Sequence, residues 1–241
     1  VMARGFLRAG HAVYPVTRHT DPAAAAARYP EPALAVVAVA ENDLHPTLEA
    51  LPAACRDRAG LIQNELLPRD WEHHGLPEPT VISVWFEKKP GTDVNVILSS
   101  PVHGPRAGLL VEALRAVDIP AHEVDTGDAM LFELVRKNAY ILTTNIAGLV
   151  TGGTTGELWE HHRDLAQTVA DEVLDIQGWL TGREPDRERV VAGMAEALLA
   201  DPEHKNTGRS APGRLKRALG HADQAGLAVP KLREIAAEHL D

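Results

Sequence analysis

The chain has 241 residues, 44% apolar and 24% charged, which is ordinary for a globular protein and enough for two domains of roughly 100–150 residues. Aromatic residues make up only 4%, and Ala, Leu and Val carry most of the apolar fraction, which favours helices and buried parallel strands over a β-sandwich. The net charge of −10 argues against non-specific nucleic-acid binding and anionic membranes, the single cysteine (Cys55) excludes an intrachain disulfide and suits a reducing cytoplasm, and no apolar run approaches the ~20 residues of a membrane span.

Val1–Ala9 reads as the last turns of an amphipathic helix, with Met2, Phe6 and Leu7 on its apolar side and Gly10 where a helix C-cap glycine belongs. His11–Thr17 follows as a strand. A helix with no N-cap and no strand before it is an unusual opening. The natural protein is therefore expected to begin earlier, with a strand and a turn; the alternative is a shortened domain that exposes the flank of its neighbouring strand. Ala23–Tyr29 is a short helix. Ala33–Ala40, a continuous apolar run, reads as a strand buried on both faces. His45–Ala54 is helical, and Leu61–Asn64 ends a short strand. Thr80–Phe86 and Asp93–Ser99 are strand-like, Pro105–Val117 fits an amphipathic helix, and Ala121–Val124 is a last short strand.

Strands alternating with helices imply crossovers and a largely parallel sheet. From Gly127 onward only helical patterns occur: Asp128–Leu149, Thr155–Leu180, Arg187–Leu199, Pro212–Ala225 and Lys231–Leu240. The expected fold is α/β, a Rossmann-like, mostly parallel sheet domain (residues 1–125) followed by an all-helical domain (residues 126–241).

Five elements, in order along the chain, resemble ketopantoate reductases. Ala9–Gly10–His11–Ala12–Val13 is similar to the AGH-x-V that joins the first helix to the second strand in Rossmann dehydrogenases, whose Gly-rich turn would lie just upstream. Gln63–Asn64 resembles the family's strand-end Asn element. Lys137 with Asn145 eight positions on resembles its K-x7-N helix. Gly156–Glu157–Leu158 resembles its GEL, and Gly226–Leu227–Ala228–Val229–Pro230 its late Gly/Pro segment. Four departures stand out. Ser210 occupies the place of a family glutamate, Glu65 that of a glycine, Ile141 that of a second Asn, and Ala40 that of a basic residue.

The resemblance implies an NADP-dependent reductase of a small 2-oxo acid or related carbonyl compound, with a C-terminal domain like that of 6-phosphogluconate dehydrogenases. The substituted positions motivate an alternative, a catalytically degenerate member that binds cofactor or a partner. A third reading keeps the lysine and changes the substrate to another ketone or an imine. Monomer and homodimer both stay open.

Carbonyl reduction needs a hydride donor, a proton donor for the forming alkoxide, and fixed polar groups on the carbonyl. Lys137, among Phe132, Leu134, Ile141 and Leu142, is the candidate acid, because burial can lower a lysine's pKa. Asn145 lies roughly on the same helix face and is assigned to substrate or lysine. Asn64, at a strand end where open parallel sheets hold ligands, is assigned to the nicotinamide amide or the substrate oxygen. Thr17 and Arg18 close the presumed second strand, and an Arg there favours the 2′-phosphate of NADP. The resemblance adds Val39 and Ala40 to the cofactor set and Ser210 to the substrate set. His204–Arg214 reads as a mobile flap, with Arg209 and Arg214 able to meet a carboxylate but ordinary for a solvated helix start. The pairs His73–His74 and His161–His162 and the lone Cys55 read as non-functional, and Thr154 or Thr155 as a helix N-cap.

Overall fold

The computed structural model describes residues 1–89 and 91–240. It contains two compact units, Val1–Glu133 and Leu134–Asp241, each with its own core. The first is built on α1 (Met2–Arg8), α2 (Pro22–Arg28), β1 (Ala35–Val37), α3 (Leu44–Glu49), α4 (Ala53–Arg56) and β2 (Ala59–Leu61). It continues through α5 (Pro68–Glu72), β3 (Thr80–Ile82), β4 (Phe86–Glu87), β5 (Asn95–Val96), β6 (Ser100–His103), α6 (Ala107–Arg115) and β7 (Ala121–Glu123). Five strands form one sheet in the order β1-β2-β3-β6-β7. Only the β3–β6 pairing is antiparallel; β4 and β5 form a separate hairpin.

The long helix α7 (Gly127–Thr151) leads into α8 (Thr155–His161), α9 (Arg163–Thr181), α10 (Arg187–Ala200), α11 (Ala211–Ala225) and α12 (Pro230–His239). The architecture is thus a mostly parallel α/β unit followed by a helical one, as the alternation of patterns implies. No helix among the described residues is long and apolar enough to cross a membrane.

Several elements follow from local chemistry. α1 stops at Gly10, which takes φ 85 while its N–H and that of His11 donate to the Leu7 and Phe6 carbonyls. Gly5 is buried where α1 meets α6, and any Cβ there would run into the Ala113 carbonyl. Met2 and Phe6 join Ile82, Val102, Leu110 and Leu114 in the first core. In the second unit, Thr154 is the N-cap of α8 and forms a capping box with Glu157. Gly226 ends α11 at φ 69, and Pro230 starts α12. Between them Val229, a β-branched residue, is held at φ 37. The buried Glu172 carboxylate on α9 clamps this corner. Its Oε1 accepts from the Lys231 N–H at 2.8 Å and its Oε2 from the Leu232 N–H at 2.9 Å.

Other expectations are corrected. His11–Thr17 is not a strand. Pro15 lacks a donor, Tyr14 and Val16 are exposed, and no ladder pairs the segment. Ala33–Ala40 yields only the three residues of β1, with Ala38 and Ala40 exposed, because β1 is an edge strand bonded to β2 alone. His45–Ala54 divides into α3 and α4 at Leu51–Pro52, since proline cannot continue a helix from within. Thr80–Phe86 breaks between β3 and β4, and Asp93–Ser99 keeps only the two residues of β5. β6, which contains Pro101, escapes the strand pattern altogether. Thr155–Leu180 is interrupted at His162, φ −131, into α8 and α9.

Candidate functional site

α7 gathers polar side chains on an otherwise apolar helix of the second unit. Lys137 is only 9% exposed, and its Nζ lies 5.6 Å from the centroid of the Tyr140 ring. The neighbouring Asn138, also buried, donates through Nδ2 to Gln177 Oε1 at 3.0 Å and so fixes the helix against α9. Ile141, where the resemblance has an Asn, is buried. Thr144 Oγ1 donates to the Tyr140 carbonyl at 2.8 Å. Asn145 is half-buried and its Oδ1 accepts from Arg214 Nη1 on α11 at 2.8 Å. Lys137 and Asn145 are eight residues apart, ~12 Å along the axis, with little more than two turns between them.

Ser210 is exposed at the N-cap of α11, and its side chain makes no capping bond. Its carbonyl accepts from the Arg214 N–H at 2.9 Å, so the two residues stand one turn apart. The segment before it is not the free flap expected from its composition. The Thr155 N–H donates to the His204 carbonyl at 2.8 Å, and the Asn206 N–H to that of Gly153 at 3.1 Å. The Asn206 side chain, buried to 1%, donates to the Gly152 and Thr154 carbonyls. Gly148 on α7 allows the approach, since a Cβ there would sit 2.8 Å from Asn206 Cβ.

In the first unit, the loops after β1 and β2 are tied together. Gln63 Nε2 donates to the Val37 carbonyl at 2.7 Å. Asn64 Nδ2 donates to Glu41 Oε1 at 3.1 Å. Glu65 follows at φ 61, the left-handed conformation that a glycine takes without strain, at the position where the resemblance has glycine. Val39 is half-buried and Ala40 exposed. These loops lie at the carboxyl ends of parallel strands. Thr17 and Arg18 are in an exposed turn, closed by the Thr17 N–H on Thr20 Oγ1 at 3.2 Å, and not at a strand end.

Two partners escaped the sequence reading. Glu41 directly follows the apolar run, but nothing in the pattern links it to Asn64, 23 positions away. Arg214 reads from the sequence as a carboxylate partner or a solvated helix-start residue, and neither reading points to its bond to Asn145, which spans 69 positions. The histidines also regroup. His45 Nδ1 is 2.9 Å from His74 Nε2, and His45 Nε2 is 3.7 Å from Asp70. Burial, then the neighbouring His45 and His73, push the His74 pKa below its usual value. No group of three or more His, Cys, Asp or Glu among the described residues is arranged to hold a metal ion. Cys55 is half-buried, and burial above all pushes its thiol pKa up, away from the reactive thiolate.

No family model and no curated protein matches the chain in sequence. Solved structures do match in fold. A PanE/ApbA-family ketopantoate reductase from Ralstonia eutropha JMP134 aligns with a TM-score of 0.61 at 16% identity, over 91% of this chain and 77% of that one. D-mandelate dehydrogenase, solved with NADH and anilino(oxo)acetate, aligns with a TM-score of 0.60 at 13% identity, over 86% and 75%. A dimeric ketopantoate reductase from Staphylococcus aureus aligns with a TM-score of 0.56 at 14% identity, over 86% and 76%. The chain has the ketopantoate reductase-like fold.

Proposed function

We propose that the chain is an NADP-dependent reductase of a small 2-oxo acid or related carbonyl compound, with residues 1–125 serving the cofactor and 126–241 the substrate. The observation that supports this most is Lys137: a lysine held 9% exposed against an aromatic ring, on the helix that also carries Asn145, in a fold shared with nicotinamide enzymes. A buried ammonium needs a reason, because lysine is among the residues least often withdrawn from water.

A nicotinamide, when bound, supplies the hydride. The residues of the first unit fit such a group. Asn64 offers an amide in a turn at the carboxyl end of a parallel strand, held by Glu41, and Val39 and Ala40 form the adjoining strand exit. Arg18 with Thr17 is assigned to a ribose 2′-phosphate, which an Arg meets with two parallel N–H donors. In the second unit Lys137 gives its proton to the carbonyl oxygen as that oxygen gains charge, leaving a neutral amine that takes up a proton again from solvent. Asn145 holds the oxygen or the lysine in line, and Ser210 offers a hydroxyl to the substrate. The S. aureus enzyme being dimeric makes a homodimer the proposed assembly.

The test is oxidation of NADPH and of NADH by the chain against a panel of 2-oxo acids, neutral ketones and imines. Consumption of NADPH with a 2-oxo acid is expected, and Arg18→Ala is expected to narrow the preference for NADPH over NADH. Cofactor binding without turnover of any panel member would instead favour a non-catalytic role.

A further inference from the structure

Resting on the reductase reading, we infer that His45 and His74 form an acid-sensitive latch between the two loops assigned to the cofactor, closed while at most one of the two rings is charged and opened when both are. The loops follow β1 and β2 and are joined twice. The first join is Asn64 Nδ2 donating to Glu41 Oε1 at 3.1 Å. The turn Glu41–Asp43 runs directly into α3, where His45 is the second residue. α5 begins at Pro68, shortly after Asn64, and brings His74 just beyond its end. His45 Nδ1 and His74 Nε2 stand 2.9 Å apart, so the second join is a hydrogen bond between two imidazoles.

Such a bond needs a proton on one nitrogen and a lone pair on the other. Asp70 Oδ1, 3.7 Å from His45 Nε2, favours the ring proton on that side, which leaves His45 Nδ1 to accept from His74 Nε2. The carboxylate is itself held, because its Oδ2 accepts from the Leu67 N–H at 2.8 Å within the α5 capping box. One added proton keeps the bond and makes it charge-assisted. A second sets two cations and two N–H donors against each other at close range. The charged groups that face the pair are mixed. Glu49 on α3 and Asp70 on α5 favour protonation. Arg56 on α4 opposes it, as does the exposed His73, whose ring centroid is 5.1 Å from that of His74 and 6.3 Å from that of His45. Burial above all, then His45 and His73, hold the His74 pKa below 6.5, so the doubly charged state belongs to mildly acidic solution. Arg56 also donates to the Leu48 and His74 carbonyls, which fixes the far end of α3 and the His74 backbone at any pH. The repulsion therefore acts on the His45 end of α3, next to Glu41 and through it on Asn64.

The experiment compares the whole chain with His74→Gln, whose amide keeps a donor near the Nε2 position, and with His45→Asn, whose amide keeps an acceptor near Nδ1; neither replacement titrates. NADP+ affinity by calorimetry, and amide exchange over residues 41–49 corrected for intrinsic rates, are read at about pH 7.5 and about pH 5.5, either side of the histidine range. Titration of the ligand's own 2′-phosphate is common to all three proteins and cancels in the comparison. The proposal predicts that acidification weakens NADP+ at least fivefold more in the wild type than in either variant, and speeds exchange over 41–49 in the wild type alone. Thermal unfolding at the higher pH shows which variants keep the fold, and either one suffices. The same pH dependence in the wild type and a folded variant, or wild-type exchange over 41–49 that ignores pH, overturns the latch. The reductase reading fails separately. Histidine-dependent exchange with no NADP+ binding at either pH would leave the latch and remove the cofactor, whereas NADP+ binding whose pH dependence ignores both histidines would keep the cofactor and remove the latch.

Discussion

Removing the Glu172 carboxylate is expected to loosen α12 more than any surface change in the second unit. Its two oxygens accept from the first two free N–H groups of α12, at 2.8 and 2.9 Å, and the residue is 8% exposed. A hydrogen bond to a charged group contributes about 1.5–3 kcal/mol, and a buried donor left without a partner costs about as much again as the bond it lost. Part of that is regained when water reaches the N–H groups, so Glu172→Ala should cost about 3 kcal/mol. Glu172→Gln keeps one acceptor and loses the charge that faces the helix dipole, and should cost about half as much. The corner is sensitive because Val229 sits at φ 37, a conformation that survives only when its surroundings impose it. The assay is thermal and urea unfolding followed by circular dichroism, with amide exchange read over Pro230–His239. A loss under about 0.5 kcal/mol in Glu172→Ala, within the range of neutral surface substitutions, would refute the claim that this carboxylate holds the helix.

The backbone at Glu65, φ 61, predicts that Glu65→Gly is more stable than Glu65→Ala by about 1 kcal/mol, since both lose the side chain and only one relieves the left-handed conformation; equal unfolding midpoints would contradict it. His74 has a folded pKa below its usual 6.5, chiefly from burial. The unfolded chain therefore binds the proton more tightly, and this contribution to stability is present above about 6.5 and lost as pH falls below it through the lower folded pKa. His74→Gln should flatten the fall in melting temperature between neutral and mildly acidic buffer, and an unchanged slope would remove His74 as its source.

The helical half was legible because its segments are long and strongly periodic. Gly226 and Pro230 mark the α11–α12 corner in the sequence as they do in space. The sheet was legible in type and poor in detail. Short strands such as Ser100–His103, with a proline inside, carry no alternation to detect, and His11–Thr17, apolar between its polar ends, finds no partner strand. The break at His162 has neither Gly nor Pro to announce it. The site divides in the same way. Lys137 stands out as a charge among apolar helix positions, and its burial agrees with that setting. The bonds from Asn64 to Glu41 and from Arg214 to Asn145 join residues far apart in the chain, and such pairings are decided by tertiary packing that no local pattern records.

The measurement closest to the central claim is kcat/KM for NADPH-dependent reduction of the best 2-oxo acid by the wild type, Lys137→Ala and Lys137→Arg. Loss of a positioned proton donor should lower kcat by about 10²–10⁴-fold in Lys137→Ala. Lys137→Arg should not restore it, since a guanidinium keeps the charge but does not release a proton near neutrality. Lys137→Ala turnover within threefold of wild type, in a protein that unfolds at the wild-type temperature, would contradict the account.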